Sequence, residues 1–338
     1  MNSGDESVQT VERDFREAAA AVLAQRISEV GELSRSVLDV DQPAVADALF
    51  LSSGRLGTAL EFFRPVLERM HYRGTRDEVR DLERAVGRRR DLDASLALVS
   101  AVGNEMDEAS RTGVDLLVAG LDAERVEANR LLAAAVDQRR LQALRVRLED
   151  LVGGSEEALP SDPGDGFIVV SELPGAARKT VSKRLRRLRK RVPRALDSGN
   201  GKSVRRSLGA AARLRYVLEL AGSPLGGQAD TARRAARGLQ EVLIGVSDCD
   251  RTLPLAEGRL SALVKSDATT IRERGRGSRE LDPVLVQAAP GRDAYRGLVL
   301  TSVDLRARRE IEFERFRRLW LEQARQGAWV ALEASLDG

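Results

Sequence analysis

Cysteine, histidine, aromatics and proline are all scarce in this sequence of 338 residues. The one cysteine, Cys249, permits no internal disulfide and points to a reducing compartment. The one histidine, His71, follows "RPVLERM" and reads as a surface or helix-end residue. No Ser/His/Asp grouping can be built around it, and no cofactor is expected. Aromatic residues make up 4% of the chain, and none lies within 178–215, where a stacking platform for single-stranded nucleic acid would need them. No apolar run nears the roughly 18 residues that would cross a bilayer. Met1–Thr10 is polar and acidic, unlike a secretory leader. The expected location is the cytoplasm, without membrane insertion.

What remains is helix-forming. Ala, Leu, Arg and Glu dominate, Pro numbers only 10 and β-branched runs are few, which predicts an all-α fold. Apolar residues recur at helical spacing, as in Leu60, Phe63 and Leu67 and again in Leu117 and Leu121. The segment "GGSEEALPSDPGDG" (153–166) has linker composition. The expected organisation is a disordered 1–10, a first helical half over 11–152, a linker over 153–174 and a second helical half over 175–338. Interruptions are expected near 222–228, 251–258 and 276–291.

Net charge is only +3, but it is unevenly placed. Residues 178–215 carry fifteen Lys and Arg against one acid, so the rest of the chain is net acidic. In "SKRLRRLRKRVPRALDSGNGKS" (182–203), Val181, Leu185, Leu188 and Val192 form an apolar seam and leave Lys183, Arg187 and Arg191 as a cationic stripe. The closing "GNGKS" has Leu196 where a phosphate-binding loop needs glycine and follows no strand, so it reads as an ordinary turn.

An offset of about 158 superposes the two halves. "SGRLGTALEFF" (53–63) meets "ARLRYVLELAG" (212–222), aligning Arg55 with Arg213 and Glu61 with Glu219. "LERAVGRRRDLDASLALV" (82–99) meets "LQEVLIGVSDCDRTLPLA" (239–256), aligning Asp91 and Asp93 with Asp248 and Asp250. Two pseudosymmetric helical-bundle halves from an internal duplication are the economical reading. The aspartates follow apparent turns and are expected to cap helices. Phe313, Phe316, Trp320 and Trp329 sit at helical spacing and are expected in the core. Cys249 lies between two acids that raise its pKa, which argues against nucleophilic chemistry.

The "RLRYVLEL" and "RRRDLD" stretches resemble the conserved-histidine α-helical domain family, abbreviated CHAD. That resemblance implies two pseudosymmetric four-helix halves around a basic groove that binds inorganic polyphosphate, while the missing acid/base and metal constellations lead to no expected catalysis. It also implies a cationic column on one helix face of each half. In the first half the column falls on Asp47, Phe50, Gly54 and Gly57, with only Arg55 retained nearby. In the second it falls on Arg205, Leu208, Ala212 and Arg215, with Arg213 retained. Asp47 and Arg205 stand where the family has histidines. The expected function is a polyphosphate-binding module with a degenerate first-half site, associated with polyphosphate granules. Its candidate contacts are Lys183, Arg184, Arg187, Arg191, Arg205, Arg213, Arg215 and Arg55. The alternatives are an interaction module that has lost the ligand, or a non-specific nucleic-acid binder.

Overall fold

In a computed structural model, which describes residues 3–152, 173–275 and 282–337, the chain is all-α, with no strand among the described residues. The helices run α1 (Ser3–Leu33), α2 (Pro43–Phe63), α3 (Arg69–Asn104), α4 (Glu108–Ala135), α5 (Gln138–Leu151), α6 (Gly175–Ser198), α7 (Gly201–Arg274), α8 (Pro283–Gln287), α9 (Arg292–Arg325) and α10 (Ala328–Asp337). α1 begins inside the segment 1–10 that the sequence left without structure. The expected linker lies outside the described residues up to 172, and the expected interruption near 276–291 does so over 276–281.

Two compact units emerge: Met1–Arg90 with Ala128–Leu243 and Phe316–Gly338, and Asp91–Glu127 with Ile244–Arg315. In the first unit α1 packs on α2 and α5, and α6 packs on α2 and α10. Phe15, Phe62 and Phe63 meet at its core with ring centroids 4.9–5.6 Å apart. The α6 seam of Val181, Leu185, Leu188 and Val192 is fully buried, as its spacing predicts. α6 ends where Gly199 adopts a left-handed φ of 59° and donates its N–H to the Ala195 carbonyl. The Asn200 side chain then accepts from Ser203 N–H at 2.9 Å and starts α7, so "GNGKS" is a helix-to-helix turn. Within α7 the direction breaks at Gly226, whose φ of 65° and ψ of −158° suit glycine. This realises the interruption expected near 222–228. Trp320 stacks on the buried Trp329 at 5.9 Å.

The second unit corrects three expectations. The Asp91/Asp93 and Asp248/Asp250 pairs lie inside α3 and α7 rather than at helix starts, and ion pairs hold them there. Arg251 reaches Asp91 at 2.9 Å and Asp248 at 3.1 Å, while Arg309 holds Asp250 at 2.6 Å and Arg125 lies 3.8 Å from Asp93. α7 also runs on through 251–258, where an interruption was expected. Thr252 there donates to Ser95 at 2.9 Å in a buried contact that ties α7 to α3. Phe316, assigned to the first unit, is fully buried, whereas Phe313 in the second is only half-covered, beneath Arg309. Burial, with Asp248 and Asp250, pushes the Cys249 thiol up to about 11, which leaves it unreactive. α4 and α9 touch backbone to backbone at Gly113 and Gly297.

Candidate functional site

A short helical turn over Arg64–Val66 follows α2, and Glu68 N–H donates to the Leu151 carbonyl at 2.9 Å, which fixes the entry to α3. This junction and α6 enclose a cleft of about 1030 Å³ within the first unit. Its cationic lining comprises Arg64, Arg69, Arg73, Arg76, Lys183, Arg184 and Arg187, against two carboxylates, Glu61 and Asp77. Arg69, Arg73, Lys183 and Arg187 are exposed and have no ion pair or side-chain hydrogen bond among the described residues. Arg64 lies over the ring of Tyr72 at 5.6 Å, and that ring is buried.

The inner wall is different. Arg184 is buried with 6% of its surface exposed, and both it and Arg76 are ion-paired to Glu61. Burial, then the like charges of Arg213, Arg187 and Arg191, pull the Arg184 guanidinium below its usual pKa range. Burial and the charges of Arg187, Arg213 and Arg206 do the same to Arg191, which donates to the Arg206 carbonyl at 3.1 Å. The like charges gathered around Arg184 and Arg191 make a positive field that favours an anion.

The structure therefore brings Lys183, Arg184 and Arg187 into the cleft and keeps Arg191 and Arg213 within electrostatic reach of Arg184. Arg205 is exposed on α7 and does not line it. Arg55 and Arg215 converge on Glu219, at 2.8 and 3.0 Å, and Arg215 also donates to Gln240 at 3.1 Å. That partnering, half-buried and outside the cleft lining, differs from the ligand contact expected of both. Burial raises the Glu219 carboxyl, but the Arg55 hydrogen bond and charge, with Arg215, outweigh it and hold the pKa below the usual range. A carboxyl so lowered stabilises the fold at neutral pH, and the contribution is lost as pH falls through the lowered value. Arg55→Ala should thus cost about 1–3 kcal/mol at neutral pH. The deficit should close in acid, with little change in ligand binding, and thermal melts across pH check this.

The first-half column carries no spare cation. Asp47 accepts from Arg90 at 3.0 Å. The space beside Gly54 is taken by the Tyr216 ring, and that beside Gly57 by the Glu83 carboxylate. Burial pushes the Glu83 carboxyl up against the opposing pull of Arg213. The first half contributes cations elsewhere: Arg64, Arg69, Arg73 and Arg76 were missed in the sequence. A usable signal was present, since Arg69, Arg73 and Arg76 stand at helical i, i+4, i+7 spacing. His71, exposed near the start of α3, lies 3.3 Å from Glu68, as a helix-end residue should.

The sequence matches the family model described as CHAD domain over residues 13–256. Among solved structures, the crystal structure of the CHAD domain from the plant Ricinus communis superposes with a TM-score of 0.55. It is 19% identical and covers 96% of this chain and 92% of that one. PptA from Streptomyces chartreusis superposes with a TM-score of 0.54. It is 14% identical and covers 90% of this chain and 99% of that one. No curated protein matches the chain in sequence. At such identities the structures establish a shared fold. No helix among the described residues is long and apolar enough to cross a membrane.

Proposed function

We propose, from the premise that this chain belongs to the CHAD domain family, that it is a non-catalytic module binding inorganic polyphosphate in the first-unit cleft. The observation that carries this reading is the excess of cations there, five of them without a carboxylate partner among the described residues. Guanidinium groups offer forked donors to phosphate oxygens, and their spacing along α3 and α6 suits a linear chain of charges. Nucleic acid is disfavoured because the one aromatic ring of the cleft, Tyr72, is buried beneath Arg64 and cannot stack on a base. The module would act in the cytoplasm at polyphosphate granules.

Calorimetric titration with long-chain polyphosphate, single-stranded DNA and heparin at several salt concentrations tests the proposal. Polyphosphate should bind most tightly, with log K falling linearly in log salt. Equal affinity for DNA would convert the reading to non-specific nucleic-acid binding. Absence of binding near physiological salt would favour an interaction module instead.

A further inference from the structure

The two carboxylates in the cleft are not equivalent. Asp77 is exposed and faces Arg80 of its own helix at 3.5 Å, whereas Glu61 is three-quarters buried and takes guanidinium groups from two other helices, Arg76 of α3 and Arg184 of α6. Two guanidinium groups converging on one small acceptor are the best phosphate ligands the cleft has. They are already occupied by an anion tethered to the same fold, whose effective concentration exceeds that of a small free anion. The unpaired cations lie outside this pair.

Building on the proposed polyanion function of this cleft, we propose that Glu61 sets a chain-length threshold. Its carboxylate excludes orthophosphate and other short anions from the Arg76/Arg184 pair. A long chain needs no such displacement, because it gathers affinity from several unpaired cations at once. Glu219 also holds two arginines, yet it does not line the cleft and serves as the structural counterpart.

Glu61→Gln keeps the side chain's size and removes its charge. Calorimetry with tripolyphosphate and with long-chain polyphosphate at one salt concentration should show tripolyphosphate affinity rising about tenfold and long-chain affinity by about threefold or less. The selectivity ratio therefore shrinks. Glu61→Asp retains the charge and should retain the wild-type ratio, which a purely space-filling role would not predict. If Glu61→Gln gives no cooperative melt, Glu61→Ala replaces it. Tripolyphosphate should then raise the Tm of that variant more than that of the wild type, by filling the vacated position. An unchanged ratio, or weaker binding of both ligands, in a folded Glu61→Gln variant overturns the threshold while leaving polyphosphate binding intact. Failure of both wild type and variant to bind either ligand overturns the polyanion reading, and the threshold with it.

Discussion

Replacing Arg69, Arg73, Lys183 and Arg187 together by alanine should reduce long-chain polyphosphate affinity by about two orders of magnitude. Each cation that meets a phosphate of a flexible polyanion contributes about 0.7 to the slope of log K against log salt. Near physiological salt that amounts to about fourfold per contact, so four contacts compound to roughly two hundredfold. The slope itself should become shallower by about 2.8. These side chains are exposed and unpaired, so each substitution should move stability by no more than about 0.5 kcal/mol. Arg145→Ala with Arg237→Ala removes two exposed arginines paired to glutamates on their own helices, and should leave binding near wild type. Parallel salt slopes for wild type and the fourfold variant would rule out the cleft as the binding site.

Gly297→Ala should destabilise the protein, against the usual gain of about 1 kcal/mol when glycine becomes alanine inside a helix. A Cβ on Gly297 would stand 1.9 Å from the Ser110 carbonyl oxygen, and one on Gly113 would stand 2.2 Å from that of Ala294. Backbone atoms cannot swing aside as the end of a side chain can. The two helices must separate, at a cost of about 1–3 kcal/mol or more, and the double variant should lose more than either single one. Gly120→Ala, in α4 with nothing within 4 Å of its added carbon, should instead stabilise. Melting curves for the four variants decide the matter, and a higher Tm for Gly297→Ala would mean that α4 and α9 do not meet at this point.

The fold class was legible because helix propensity and the 3.6-residue period are local properties. The α6 seam shows this: four apolar residues named from spacing alone are all buried. Lys183, Arg184 and Arg187 were legible for a second reason, the local density of charge. Arg64 was not, standing alone on the short turn after α2, and the helical spacing of Arg69, Arg73 and Arg76 on α3 was overlooked in a chain rich in arginine throughout. The central aspartates were misread because their partners, Arg125, Arg251 and Arg309, are distant in sequence for all but the Asp248–Arg251 pair. Arg55 was assigned to a ligand for the same reason, since Glu219 meets it only once α2 and α7 are folded, whereas Arg215 and Glu219 are an i,i+4 pair on α7 that their spacing alone could have shown. Asp91 and Asp248, aligned by the offset, share Arg251, and the equally aligned Ser95 and Thr252 touch.

Arg187, Arg191 and Arg213 place like charges around the buried Arg184. A bound polyanion would screen them, and whatever binds the folded chain but not the unfolded one shifts the folding equilibrium by mass action. The folded population would then depend on how much polyanion the cell holds. When stores of it are drawn down, a larger share of the molecules would be open to proteases and chaperones. Lifetime of the protein, and not occupancy alone, would register the supply.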